Sequence, residues 1–140
     1  MGQKRCSSVA SVVDTIAANC LAVRVRILSR DMTRLYDDAL RPIGLRVTQL
    51  NVLVAVAKMQ EAMPTEIGRH LHLDKSTLSR TLARMVEKGW LQEVEGDDAR
   101  RRPVKLSRAG RNLIRDAFPL WQEAQREGKR IMVSRKLMHD

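Results

Sequence analysis

The stretch "DKSTLSRTLARMVEKGWL", residues 74–91, decides the fold. Asp74 is a helix-capping residue, able to accept from the free N–H groups of the turn that follows it. Leu78, Leu82, Met85 and Val86 then recur at three- and four-residue spacing, which marks one apolar helix face. Lys75, Ser76, Ser79 and Arg80 fall on the opposite face. Lys88-Gly89 ends the helix, because glycine adopts the left-handed stop without steric cost. The first face packs. The second asks for a polar, anionic partner.

Working outward, "TEIGRHL" (65–71) forms a short helix behind Pro64 with Ile67 and Leu71 inward, and His72-Leu73 is the turn between the two helices. Two short helices around a tight turn make a helix-turn-helix. Upstream, "TQLNVLVAVAKM" (48–59) is almost wholly apolar. Val52, Val54 and Val56 would suit a buried strand, but Leu50, Leu53, Val54 and Ala57 fit a helix face that Thr48 can cap, so a buried helix is expected. Downstream, "WLQEVE" (90–95) and "RPVKLS" (102–107) read as strands joined through "GDDAR" (96–100). A hairpin placed directly behind a helix-turn-helix is a wing. The expected fold is mainly α: a winged helix-turn-helix with a small β-hairpin wing, flanked by long helices at both ends.

The boundaries follow. Residues 1–10 are a disordered tail. Residues 11–44 are an N-terminal dimerisation helix, continuous from Ser11 to Leu40 and stopped by Arg41-Pro42-Ile43-Gly44. It is longer than one small core needs, as helices that pack on a partner chain often are. Residues 45–107 are the winged helix-turn-helix region, with the wing at about 90–107. Residues 108–140 are C-terminal helices: Ser107 caps the first, Pro119 kinks it, and "GKRIMVSRKLMH" (128–139) forms a separate segment.

Charge names the partner class. The 140-residue chain carries a net +10 and a pI near 10.6. Residues 75–111 hold ten Lys/Arg against five Asp/Glu, whereas residues 45–74 are balanced at three against three. The basic character is concentrated around the opening stretch, the distribution of a nucleic-acid footprint. Tyr36, Trp90, Phe118 and Trp121 are the whole aromatic set, too few for a stacking platform, so duplex rather than single-stranded DNA is expected.

Helix-turn-helix proteins place the first turns of the second helix at the base edges of the major groove. Ser76, Thr77 and Ser79 are short enough to approach bases or phosphates closely. Arg80 can bond a guanine edge bidentately. Lys75 and Arg84 suit phosphates, and Thr65, opening the preceding helix, joins this set. In the wing, Arg100, Arg101 and Arg102 suit a narrow minor groove, whose negative potential attracts guanidinium, with Asp98 bracing the Arg100 guanidinium.

Other classes lack parts. There is no Gly-rich phosphate loop, paired carboxylate motif or Cys/His constellation, so neither an enzyme nor a cofactor is expected. Cys6 and Cys20 are too few for a disulfide framework, and His70, His72 and His139 do not share a spacing that holds a metal. No membrane-spanning run exists. The apolar stretch behind Lys4 and Arg5 is broken by Asp14 and Asn19, and Cys6 stands where a myristoylation signal wants Ser or Thr. A cytoplasmic protein is expected. The bland alternative is a solvated basic surface, or a winged helix that meets an acidic protein. DNA binding that falls steeply with salt separates these.

"LRVTQLNVL", "LDKSTLSRTLARMVEKGWL" and "DDARRRPVKLSRAGR" resemble the MarR family of bacterial winged-helix transcriptional regulators over about residues 20–125. Asp98, Arg100, Val104, Leu106, Ser107 and Gly110 fall in the family's wing order and spacing, and Asp74, Ser76, Thr77 and Arg80 match its recognition helix. The resemblance implies a homodimer formed by the first and last helices, a repressor's palindromic operator, and control by a ligand or an oxidant. The ligand crevice would lie between the dimer helices and the DNA-binding lobe. Arg24 and Arg34 could meet an acid there, and Trp121 could line it. There are departures: Met63 replaces a capping Thr, a role Thr65 could assume; His72 replaces a turn Gly, and His tolerates the left-handed region; Arg46 replaces a frequent Thr. In the family's peroxide-sensing branch the reactive Cys aligns with Ala22, not Cys20, and Arg26 stands at a Tyr position. Cys20 shares a stripe with Ile16, Val23 and Ile27, so a structural thiol and a small-molecule effector are expected, with redox sensing at Cys20 as the alternative.

Overall fold

The computed structural model describes residues 8–96, 98 and 102–135. The chain divides into two compact units, the first ending at Thr33 and the second beginning at Arg34.

The first unit holds helix α1, Val9–Asn19, and the start of α2, Leu21–Leu40. The Ser8 hydroxyl caps α1 by accepting from the Ser11 N–H at 3.2 Å, so the helix starts inside the stretch expected to be a disordered tail. The expectation of one continuous helix from Ser11 is corrected at Cys20, which is extended at φ −66° and ψ 104°. No glycine or proline marks the break. The Arg24 guanidinium donates to the Ala18 carbonyl, satisfying an acceptor that the ended helix leaves open.

In the second unit α2 ends in a 3-10 turn, Arg41–Ile43, and reverses at Gly44, whose φ is +68°. Helix α3, Val47–Met59, follows. Its cap position is Arg46, not Thr48. A tertiary contact explains the shift. The Asp37 carboxylate of α2 accepts from the Val47 N–H at 2.8 Å, and the Gln49 side chain accepts from the Arg46 N–H at 3.0 Å. The buried face also differs from expectation: Leu50, Val52, Leu53, Ala55 and Val56 are inside, while Val54 and Ala57 are exposed. A helix touched by α4, α6, β1 and β3 buries more than one stripe.

Strand β1, Glu61–Ala62, precedes α4, Pro64–Leu71, and α5, Lys75–Glu87. Strands β2, Leu91–Glu93, and β3, Val104–Leu106, form the hairpin, and α6 runs Arg108–Ser134. The sheet is antiparallel and three-stranded in the order β1-β3-β2, with Ala62 opposite Val104 and Leu91 opposite Leu106. The two-residue β1 was not anticipated. Helix α6 is unbroken through Pro119 and Gly128, which corrects the expected separate C-terminal segment. One missing N–H interrupts a ladder only locally, and a mid-helix glycine costs only about 1 kcal/mol.

The core gathers Leu40, Leu45, Leu53, Val56, Ile67, Met85 and Leu91. The wing is joined to α6 by a polar hinge. The Ser107 hydroxyl donates to the Gly89 carbonyl at 2.5 Å and accepts from the Gly110 N–H at 3.0 Å. A side chain at Gly110 would collide with the Trp90 carbonyl, so α6 approaches the wing only through glycine.

Candidate nucleic-acid interface

Helix α5 divides as its periodicity requires. Leu78, Leu82 and Met85 are buried, while Lys75, Ser76, Ser79, Arg80 and Arg84 are exposed. The turn before it works as expected: His72 takes a left-handed conformation, φ 53° and ψ 40°, and its N–H donates to the Gly68 carbonyl. The expectation that Thr65 caps α4 is corrected. Pro64 occupies the first helical position, which moves the cap to Met63, and the Glu66 carboxylate accepts from the Met63 N–H at 3.0 Å. Thr65 is exposed in the first turn of α4.

Asp74 does more than cap. Its carboxylate accepts from the Thr77 N–H at 2.9 Å, the Thr77 hydroxyl at 2.6 Å and the Ser76 hydroxyl at 2.7 Å. The Thr77 hydroxyl, followed by the Thr77 N–H and the Ser76 hydroxyl, holds the Asp74 carboxyl well below the usual carboxylate range. With both hydroxyl protons engaged by Asp74, Ser76 and Thr77 offer lone pairs, not donors, to anything that approaches. Thr77 is half-buried, whereas Ser76 and Ser79 are open. Among the described residues no carboxylate pairs with Lys75, Arg80 or Arg84. Lys75, Arg80 and Arg84 therefore outnumber the one ionised carboxylate, Asp74, that caps this helix N-terminus, and the leading turns carry a net positive charge.

Of the wing residues, Arg100 and Arg101 lie outside the described residues, and with them the expected Asp98 brace. Asp98 itself is exposed. Arg102 donates to the Glu93 carboxylate at 3.2 Å. Sequence reading missed Glu93. The signal was there: Glu93 faces Val104 across the hairpin, two residues from Arg102, a diagonal cross-strand pair.

The residues expected at an effector site are dispersed in role. Arg24 belongs to the first unit, where it bonds Ala18. Arg34 is exposed on α2. Trp121 is half-buried and stacks on Phe118, centroids 6.1 Å apart. Cys20 is half-buried, at the break between helices. Among the described residues no three His, Cys, Asp or Glu side chains converge as metal ligands, and no helix is long and apolar enough to cross a membrane.

Residues 43–102 match the model of the MarR family. MosR, a transcriptional regulator from M. tuberculosis solved in complex with DNA, is 30% identical, covers 83% of each chain and superposes with a TM-score of 0.71. The chain belongs to the MarR family. A mutant of E. coli MarR solved with operator DNA superposes with a TM-score of 0.73 at 25% identity, over 81% of this chain and 82% of that one. The regulator YwoH of Bacillus subtilis is 32% identical over 72 residues, 51% of this chain, so the chain spans about half (53%) of that relative's length. The three-stranded antiparallel sheet and the helix-turn-helix are the winged-helix fold of this family, whose members are DNA-binding regulators rather than enzymes.

Proposed function

We propose that the chain is a cytoplasmic transcriptional repressor that binds duplex DNA as a homodimer, reads a palindromic operator, and is released by a small-molecule effector. The observation that carries the reading is the exposed face of α5, where Lys75, Arg80 and Arg84 stand without ion-pair partners among the described residues, beside the exposed hydroxyls of Ser76 and Ser79. In this reading Arg80 bonds a guanine edge, Lys75 and Arg84 hold phosphates, and the wing with Arg102 lies against the backbone or minor groove. Thr65 meets a phosphate at the start of α4. Pairing of two copies through the terminal helices is supported by exposed Val9, Val12, Val13, Ile16, Leu21, Val23, Val25 and Ile27, with Met132 and Val133 near the end of α6. Surface of this kind marks an interaction site.

The test is selection of bound fragments from a random duplex pool. The expected product is a dyad with half-site centres about 10–10.5 base pairs apart. Selected sites without a dyad, or binding indifferent to salt, would overturn it. Effector control through Cys20 is tested by comparing wild type with Cys20→Ser under stoichiometric organic peroxide. Both are expected to stay on the operator. Release of the wild type alone would establish the thiol as sensor.

A further inference from the structure

Apart from the exposed face of α5, the second unit carries a cleft of about 770 Å³ lined by α3, β1, β3 and α6. Small-molecule sites typically enclose about 300–1,000 Å³. Val56 and Met59 of α3, Leu106 of β3 and Ile114 of α6 line it with apolar surface. Lys105, Arg111 and Arg115 stand against the single carboxylate of Glu61, an excess of two positive charges.

Three features make this more than a basic patch. Glu61 and Lys105 are cross-strand neighbours, yet among the described residues neither they nor the two arginines form an ion pair. Arg111 and Arg115 are four apart on α6, a like-charge spacing that destabilises a helix unless an anion sits between the guanidinium groups. Gln60, at the cleft wall, holds φ 66° and ψ −62°, a conformation that non-glycine residues adopt only when the surroundings impose it.

We propose that this cleft binds an organic phosphate monoester, its apolar body on the Val56–Ile114 surface and its dianionic head between Arg111, Arg115 and Lys105. Guanidinium groups match the oxygens of a phosphate geometrically, and an apolar wall distinguishes the ester from free phosphate. Lys105 lies on the strand that leads out of the wing, and the arginines lie on α6, so an occupant ties the wing strand to that helix. The effect on DNA rests on the release reading above; occupancy of the cleft does not.

The experiment titrates the full chain with 1-naphthyl phosphate by calorimetry, with 1-naphthol and inorganic phosphate as the two halves of that molecule. Saturable binding, at least tenfold tighter than either half, is expected. Arg111→Gln and Arg115→Gln should each weaken it about tenfold, the ordinary worth of one hydrogen bond to a charged group. Arg130→Gln, outside the cleft and the DNA-contact set, should leave it unchanged, and thermal melts of each variant check folding. Binding no tighter than either half, or indifferent to both arginine changes, overturns the proposal. So does loss of duplex binding in Arg111→Gln and Arg115→Gln with naphthyl phosphate binding intact, which would make the rim a DNA-backbone contact. Binding in the cleft with DNA affinity unchanged upholds the site and removes the release reading. DNA release that persists in both arginine variants upholds release and removes the site.

Discussion

Helices α5 and α1–α2 carry the same kind of pattern and put it to opposite use. In α5 the apolar stripe of Leu78, Leu82 and Met85 is buried in the chain's own core, which leaves the polar face outward. Across α1 and α2 only Leu40 is buried; the stripe is half-buried at Leu28 and Leu35 and exposed at Ile16, Val23 and Ile27. The periodicity of a helix says that one face must be covered. It does not say by what. Where the cover lies within the chain, the polar face is free for function; where it does not, as at Ile16 and Val23, the apolar face is what the proposed pairing of two copies would cover.

The largest expected effect breaks this comparison most directly. Leu53 is fully buried, and Leu53→Ala should cost about 2–5 kcal/mol in urea unfolding through the cavity it leaves. Ile16→Ala, at 60% exposure, should cost under about 0.5 kcal/mol in dilute monomer. The same change should raise the dissociation constant of the dimer in sedimentation experiments. A dilute-monomer cost for Ile16→Ala approaching that of Leu53→Ala would mean that α1 is covered within the chain.

Next in size is Arg80→Ala, which should remove about 1–3 kcal/mol of base discrimination per half-site. The readout is binding to the selected operator against single-base variants. An unchanged preference would move Arg80 from base reader to phosphate contact.

Smaller again is the effect of Asp74. Asp74→Ser retains a good capping oxygen, so α5 should stay folded by circular dichroism. It frees the Ser76 and Thr77 hydroxyls to donate, so base preference beside Ser76 should shift from donor edges such as cytosine N4 toward acceptor edges. The pH dependence has a definite sign. A carboxyl whose folded pKa is depressed stabilises the fold above its unfolded pKa, and this contribution disappears as pH falls through the folded value. The Asp74 contribution should therefore be complete at neutral pH and be lost progressively below the ordinary carboxylate range. A carboxyl-carbon NMR titration of Asp74 with an ordinary midpoint would remove the triple hydrogen bond from the account.

How much of this was legible depends on whether local or distant groups fixed each element. Helix α5 was readable in full because its cap, stripe and stop, Asp74, Leu78–Met85 and Gly89, all lie within its own sequence. The start of α3 was misread because its cap comes from Asp37 on another helix. Strand β1 was invisible because two residues hold no alternation, and only pairing with β3 makes Glu61–Ala62 a strand. The break at Cys20 has no local breaker, and the apolar spacing runs on through it. At the site, Arg80 and Arg84 could be read from one helix, whereas Glu93 and the cleft cations Lys105, Arg111 and Arg115 required the sheet register and the α3–α6 packing.

The smallest expected effect returns to the difference between a polar face that stabilises and one that acts. Arg102 and Glu93 have side chains 47% and 50% exposed and lie 3.2 Å apart. A pair so open to water is worth about 0.2–1 kcal/mol, and salt screens it further. Glu93→Gln should therefore scarcely move the urea midpoint. Its effect on DNA should be clearer. With Glu93 charged, Arg102 is partly neutralised within the wing and must give up that pairing to meet a phosphate. Relative to the wild type, the Glu93→Gln variant has one more cation free and one fewer anion near the backbone. Affinity for all duplex sequences should rise together, and the log–log salt slope should steepen by about 0.9 if one further phosphate is neutralised. Arg102→Gln should flatten the slope by a similar amount, and in that background Glu93→Gln should leave only the weaker effect of one fewer acid. A slope unchanged by either substitution would place Arg102 out of reach of the phosphates and confine the pair to holding the hairpin together.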